Sequence, residues 1–178
     1  MTLEAMADMY GKPEVFHLRK SYRSTLEINE LAQRVKPVAD PVFMERHGDE
    51  VRTERCGNAQ GVLTKLTELI DAFEQSEFKT LGIIHKSDKV ARVYYELLAG
   101  SHRVHLLSDE SATFSDGVSI ASVKMSKGLE FDEVIVLDAD DSQYGSDYER
   151  SLLYVAVTRA MHRLTILYRD KPTPLLGL

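Results

Sequence analysis

Apolar positions along the chain switch between two spacings, and the switches mark out the elements. Val15 to Leu18 reads as a short strand. Beyond Ser24-Thr25-Leu26-Glu27, residues Ile28, Leu31, Ala32 and Val35 recur at the spacing of one helix face. Ser24 and Glu27 have capping-box spacing, and Pro37 and Pro41 end the helix. Val51 to Arg55 reads as a short strand. Val62, Leu63, Leu66, Leu69, Ile70 and Phe73 form the clearest helical stripe. Leu81 to Ile84 is an unbroken apolar strand. Ser87 is placed to cap a helix whose inner face is Val90, Tyr94, Leu97 and Leu98, and Gly100 ends it. Val104 to Leu107, Val118 to Val123 and Val134 to Leu137 read as strands, the last two of the kind buried in parallel sheets. Ser146 and Glu149 form a second capping box, opening a helix from Asp147 to about Met161. Leu164 to Tyr168 closes the sheet. Strands alternating with helices predict a three-layer α/β fold with a mostly parallel sheet. The pattern fits one domain over residues 1–178, with a lead-in at 1–13 and a tail at 171–178.

In such sheets functional groups gather at the carboxyl ends of the strands. That directs attention to Arg19 to Arg23, His85 to Ser87, Ser122 to Glu130 and Asp138 to Asp141, with Arg159 apart, late on the last helix. Composition narrows the classes. The 178 residues are 43% hydrophobic and 28% charged, which excludes a disordered, collagen-like or disulfide-built chain. The net charge of −6 argues against gripping nucleic acid by charge alone, yet leaves room for a few phosphate contacts. Cys56 is the only cysteine, which fits a reducing, cytoplasmic setting. No apolar run approaches the roughly 18 residues of a membrane span, and no signal peptide is expected.

Three strings carry candidate chemistry. Arg19-Lys20-Ser21-Tyr22-Arg23-Ser24-Thr25 sets cations and a flat ring beside a helix start. Such a ring can stack on a base while a guanidinium forks onto phosphate; equally, the string can be a surface turn with a capping serine. In Ser122 to Val134, Gly128 lets the backbone approach a ligand. There Ser122, Lys124, Ser126 and Lys127 can hold phosphates, and Glu130 can accept a bond from a ribose hydroxyl; a mixed-charge loop is the simpler alternative. Leu152 to Leu164 is mostly apolar, so Arg159 within it needs an anionic partner or a solvent edge.

Together and in this order, the strings resemble motifs IV, V and VI of superfamily 1 helicases of the UvrD/Rep/PcrA type. The residues are Ser21-Tyr22-Arg23-Ser24, then Ser122-Val123-Lys124-Met125-Ser126-Lys127-Gly128-Leu129-Glu130-Phe131, then Leu152 to Ala160. The resemblance implies a RecA-like C-terminal motor domain, similar to P-loop NTPases but without the P-loop. It implies ATP with Mg²⁺ in a cleft shared with an N-terminal RecA-like domain of the same protein, and single-stranded DNA lying across both. By position, Tyr22 would stack on adenine, Arg23 and Arg159 would contact the γ-phosphate as arginine fingers, and Glu130 would hold the ribose with Gly128 leaving room. Ser122 and Lys124 would lie on the DNA side, with Lys127 at the turn of the loop. The family pattern has threonine and histidine where this chain has Ser122 and Lys124, which removes any coupling role of the imidazole.

No G-x-x-x-x-G-K-[ST] occurs in the 178 residues, and Gly11-Lys12-Pro13 does not replace it. The chain alone is therefore expected to be inactive toward ATP and to be the C-terminal part of a longer protein, with the Mg²⁺ ligands in the other motor domain. Only Ser108 to Gly117 stands where UvrD-like enzymes carry an insertion. That compact form is similar to the HelD group, whose members act on RNA polymerase. The alternatives to a DNA helicase are thus a HelD-like polymerase factor and a degenerate stand-alone domain. Asp138, Asp140 and Asp141 read as solvated or capping carboxylates. His102 and His105 point to opposite faces of a strand and share no metal. Tyr94 and Tyr95 read as one buried ring and one exposed.

Overall fold

The structure, a computed structural model, describes residues 8–11, 20–38, 41–43, 45–109 and 115–177, with Lys20 and Ser21 by backbone alone. The strand expected at Val15 to Leu18 lies outside the described residues. Next in the chain come β1 (Lys20–Ser21), α1 (Leu26–Val35) and β2 (Val42–Phe43). The two short strands form a separate parallel ladder. After them come β3 (Arg52–Arg55), α2 (Ala59–Glu74), β4 (Thr80–His85), α3 (Asp88–Leu98), β5 (Val104–Leu106), β6 (Gly117–Ser122), β7 (Phe131–Val136), α4 (Asp147–Val157) and β8 (Ala160–Tyr168).

The main sheet has six strands in the order β3-β8-β7-β4-β6-β5, and every pairing is parallel. This is the three-layer α/β architecture that the alternating pattern predicts. Alternate residues of each strand serve opposite faces. Ile84, Val134, Val136 and Ile166 join Ile28, Leu31 and Val35 of α1 and Leu153, Ala156 and Val157 of α4 in one core. Ile83, Ile135, Leu137 and Leu167 join Val62, Leu66 and Ile70 of α2 and Tyr94 and Leu98 of α3 in the other. The centre is tight enough that a Cβ on Gly82 would lie 2.8 Å from the Phe131 ring. At the C-terminus, Leu176 is buried, and its 3₁₀ turn (Pro174–Leu176) packs on α1 rather than trailing.

Four local expectations need correction. α1 is capped by position at Thr25, without a side-chain bond, and not by a Ser24–Glu27 box. Ser24 Oγ instead donates to the Ala160 carbonyl at 2.6 Å, and the Glu27 carboxylate accepts from the Gly48 amide. A long-range partner has outcompeted the local one. Ser87 occupies the N-cap of α3 but makes no side-chain cap bond. The last helix ends at Val157, not near Met161, because the sheet captures the residues beyond it. The Phe131 amide donates to the Arg159 carbonyl, and Ala160 pairs with Phe131. Finally, β8 lies inside the sheet, and the edges are β3 and β5. The short, polar Arg-Thr-Glu-Arg run of β3 suits an edge, where one side of the ladder stays open. The Ser146–Glu149 capping box forms as the spacing predicts.

Candidate functional site

Tyr22 and Arg23 follow β1 in a turn fastened to the far side of the chain. Besides the Ser24–Ala160 bond, Arg46 donates to the Arg23 carbonyl at 2.7 Å and also to the Met161 carbonyl. The turn is thereby held beside the start of β8. Phe131 and Ala160 open β7 and β8 and face each other in the ladder, so Glu130 and Arg159, one residue earlier in each case, come together. Arg23 Nε lies 2.5 Å from Glu130 Oε1. Residues 23, 130 and 159 therefore form one cluster, and exposed Tyr22 is next to it in the chain.

Arg159 sits in the turn between α4 and β8, which corrects its expected place late on a helix. Its guanidinium is already positioned. Nε donates to the Val155 carbonyl at 3.1 Å, Nη1 to the Leu129 carbonyl at 3.1 Å, and Nη2 reaches Thr158 Oγ1 at 3.5 Å. Burial pushes its pKa down, and nearby Arg23 adds to that. Among the described residues no carboxylate forms an ion pair with Arg159, and Glu130 is the only one paired with Arg23. Arg23 and Arg159 also line a cleft of about 200 Å³, together with Gln33, Phe43, Tyr154 and Thr158. Two guanidiniums sharing one carboxylate leave the cluster cationic, so it favours an anion with several acceptor oxygens.

This cluster is not at the carboxyl ends of the strands, where such groups were expected. Glu130 and Arg159 precede β7 and β8 and so lie at the amino end of the sheet. The loop Ser122 to Glu130 spans that distance, because β7, parallel to β6 with β4 between them, must start at the same end as β6. Ser122 pairs with His85 at the carboxyl end, whereas Phe131 lies roughly six residues lower, about 20 Å away at strand rise. Gly128 turns the loop at φ +86°, but a Cβ there would meet nothing within 4 Å. The positive φ suits glycine, and no atom of the described residues crowds the position.

Of the residues read as the nucleic-acid side, Ser122 ends β6 at the carboxyl end, Lys124 follows it, and Lys127 lies midway along the loop. Ser122 is buried; its hydroxyl donates to Asp88 Oδ1 at 2.5 Å and accepts from the Met125 amide at 3.3 Å. It shapes the loop and ties it to the start of α3. Lys124 and Lys127 are exposed, and Lys124 Nζ is 3.7 Å from Asp109. Asp88 escaped the sequence reading because nothing local links it to Ser122. The Leu129 carbonyl escaped it because any residue supplies one.

A second charged centre at the carboxyl end is closed. Arg169 Nε and Nη2 each donate to one oxygen of Asp138 at 2.8 Å. Arg169 Nη2 also reaches the Tyr94 hydroxyl at 3.4 Å, and His85 Nε2 lies 3.6 Å from Asp138. His85 Nδ1 accepts from the Ser87 amide at 2.9 Å, and burial holds its pKa below the usual value. Asp140 accepts the Arg169 and Asp170 amides, and Asp141 pairs with Lys171. Each aspartate of the run thus has a structural partner. His102 bonds Asp71 on α2, while His105 is exposed on β5. Among the described residues no group of His, Cys, Asp or Glu side chains could hold a metal ion, and no helix is long and apolar enough to cross a membrane.

Residues 117–167 match the model of the UvrD-like helicase C-terminal domain. The C-terminal domain of a possible DNA helicase from Lactobacillus plantarum superposes with a TM-score of 0.74 at 30% identity, covering 88% of this chain and 92% of that one. The chain belongs to the UvrD-like helicase C-terminal domains. The DNA helicase II proteins of Escherichia coli K12 and Salmonella typhimurium LT2 are each 32% identical over 71 residues, which take in 34% of this chain. The matched stretch spans 10% of those two proteins. The UvrD-like match contains the Ser122 to Glu130 loop and Arg159, whereas Tyr22 and Arg23 precede it.

Proposed function

We propose that this domain is the C-terminal motor domain of an ATP-dependent DNA helicase or translocase, and that its amino-end cluster completes an ATP site on a partner N-terminal motor domain. The observation carrying the reading is that Arg23 and Arg159, 136 positions apart, converge with Glu130 on one cationic cleft. Such a cleft fits a polyphosphate and offers no carboxylate set for a metal, so Mg²⁺ falls to the partner domain. When bound, ATP with Mg²⁺ supplies the labile phosphoanhydride and the divalent charge.

This chain's residues bind and orient. Arg159, fixed by three protein acceptors, needs little reorganisation to face charge developing on the phosphate, which is what an arginine finger requires. Arg23 adds a second guanidinium, Glu130 accepts from the ribose, exposed Tyr22 stacks on adenine, and Gly128 sets the loop. Lys124, beside the carboxyl end, and Lys127, farther along the loop, contact single-stranded DNA phosphates, and Ser122 holds the loop that presents them. Hydrolysis at one end and strand contact at the other, joined by one loop, is an arrangement suited to a motor.

The full-length protein carrying Arg159→Ala is the test. ATP turnover should fall by roughly 10³-fold or more, the worth of an arginine finger, while ATP binding largely persists. Tyr22→Ala should do the reverse, weakening ATP binding by about 1–3 kcal/mol as base stacking is lost. Turnover at the parental rate in Arg159→Ala would make Arg159 structural. The short Ser108 to Gly117 connection favours a second reading, a HelD-like factor whose ATPase state remodels RNA polymerase. Polymerase binding with no DNA-stimulated turnover would select it.

A further inference from the structure

We propose that Glu130 makes the arginine cleft selective for phosphates carried on a ribose, by holding Arg23 in an ion pair that a sugar-free phosphate must break unaided. The proposal rests on the nucleotide reading above and deepens it. Arg23 Nε and Glu130 Oε1 are 2.5 Å apart, and both side chains are about two-fifths exposed, so the pair is reachable by solutes. Arg159 has no carboxylate of its own among the described residues and is fastened to the Leu129 carbonyl, one residue before Glu130. Glu130 is thus the shared counter-charge of both guanidiniums.

An incoming phosphate competes with Glu130 for Arg23 and sets its own negative charge beside the carboxylate. A nucleotide offers a remedy: its ribose hydroxyls donate to Glu130 while Arg23 turns to the phosphate, so no group is left unpaired. Inorganic polyphosphate has no such donor. It must either leave Glu130 uncompensated or accept an Arg23 already occupied. Glu130 is therefore a specificity-determining residue, and its ion pair is the device that excludes abundant sugar-free phosphates.

The test compares ATP with tripolyphosphate, titrated by calorimetry or NMR into the 178-residue chain at fixed magnesium. The unaltered protein should bind ATP more tightly than tripolyphosphate. Glu130→Gln should raise tripolyphosphate affinity about three- to fivefold, the worth of an exposed ion pair, without a matching gain for ATP, so discrimination narrows. Glu130→Asp should keep part of it. In the Arg23→Ala background the gain from Glu130→Gln should shrink, because only the repulsion between carboxylate and phosphate is then relieved; a gain of full size there would reflect charge alone and overturn the proposal. Unchanged or weaker tripolyphosphate binding in Glu130→Gln, with ATP binding reduced, would also overturn it and leave Glu130 only a sugar ligand, with the nucleotide reading intact. If neither ligand bound any form at millimolar concentration, the cleft would have no selectivity to set and the proposal would fall, while the nucleotide reading, which rests on the two-domain site, is tested separately by turnover in Arg159→Ala. Thermal melting verifies that each variant folds.

Discussion

The two ends of one parallel sheet each bring an arginine onto a carboxylate, and the two pairs are built to opposite purposes. At the carboxyl end Asp138 is 5% exposed, and both its oxygens are taken by Arg169 in a fork. Tyr94 and His85 close the surroundings. At the amino end Arg23 meets Glu130 through one nitrogen, both side chains reach solvent, and Arg159 stands by without a carboxylate. A fork onto a buried carboxylate leaves that carboxylate nothing for a ligand, although Arg169 itself is as exposed as Arg23. A side-on exposed pair contributes little to the fold and keeps donors for an arriving anion. Finding arginine and carboxylate together therefore says little; burial and leftover charge separate a structural centre from a candidate site.

Substitution should break this comparison cleanly. Asp138→Ala should destabilise the domain by about 2–4 kcal/mol, toward the low side of a broken buried pair because Arg169 can turn to water. Glu130→Ala should cost less than about 1 kcal/mol. Chemical unfolding of the two variants measures both, and equal losses would erase the distinction. Asp138 also holds φ at +52°, a left-handed conformation that a side chain adopts at a cost. Asp138→Gly should consequently be milder than Asp138→Ala by about 1 kcal/mol.

The carboxyl end carries an imperfection of its own. Tyr144 is 2% exposed, and its hydroxyl has no hydrogen-bond partner among the described residues. Burial, with Asp138 nearby, pushes its pKa up, which keeps the phenol neutral. Tyr144→Phe should raise stability by about 1 kcal/mol, since an unsatisfied buried group is removed. A loss of stability in that variant would mean the hydroxyl has a partner.

The pH dependence should also separate the ends. His85 has its pKa lowered by burial, so the unfolded chain binds the proton more readily. Its contribution is present above the unfolded value of about 6.5 and is lost as pH falls below it. Glu149, held down to about 2 by Lys86 and by backbone and side-chain donors in its capping box, adds a second loss as pH falls from 4.5 toward 2. Melting curves across this range should slope below about pH 6.5 in the parent and flatten there in His85→Gln. Nucleotide affinity should follow the phosphate's own second ionisation at about pH 6 and be the same in His85→Gln as in the parent. The smallest effect belongs to Lys124→Ala. It should leave stability unchanged and reduce the salt slope of single-strand binding by about one unit, one phosphate contact. An unaltered slope would take Lys124 off the strand path.

Much of the molecule was legible as a string, for reasons that are local. The unbroken apolar run from Val134 to Leu137 and the stripe from Val62 to Phe73 record which atoms avoid water, so element type and the parallel α/β class could be read from them. The Ser146–Glu149 box depends on residues three apart and formed as expected. Tyr22, Arg23, Glu130 and Arg159 were brought out by their resemblance to ordered helicase motifs; of the four, only Arg159, set in a mostly apolar run, was also singled out by its surroundings. What the sequence could not decide is long-range. Ser24 left its local partner for the carbonyl of Ala160, and the last helix stopped at Val157 because β7 captured Ala160. The Asp138–Arg169 fork, 31 residues apart, has no local signature. Above all, the Ser122 to Glu130 string reads as one motif, yet the parallel ladder sends it from the carboxyl end of the strands to the amino end. A chain specifies its spacing along itself. Only strand pairing decides which distant residues share a level, and with that which charges are left over to bind something else.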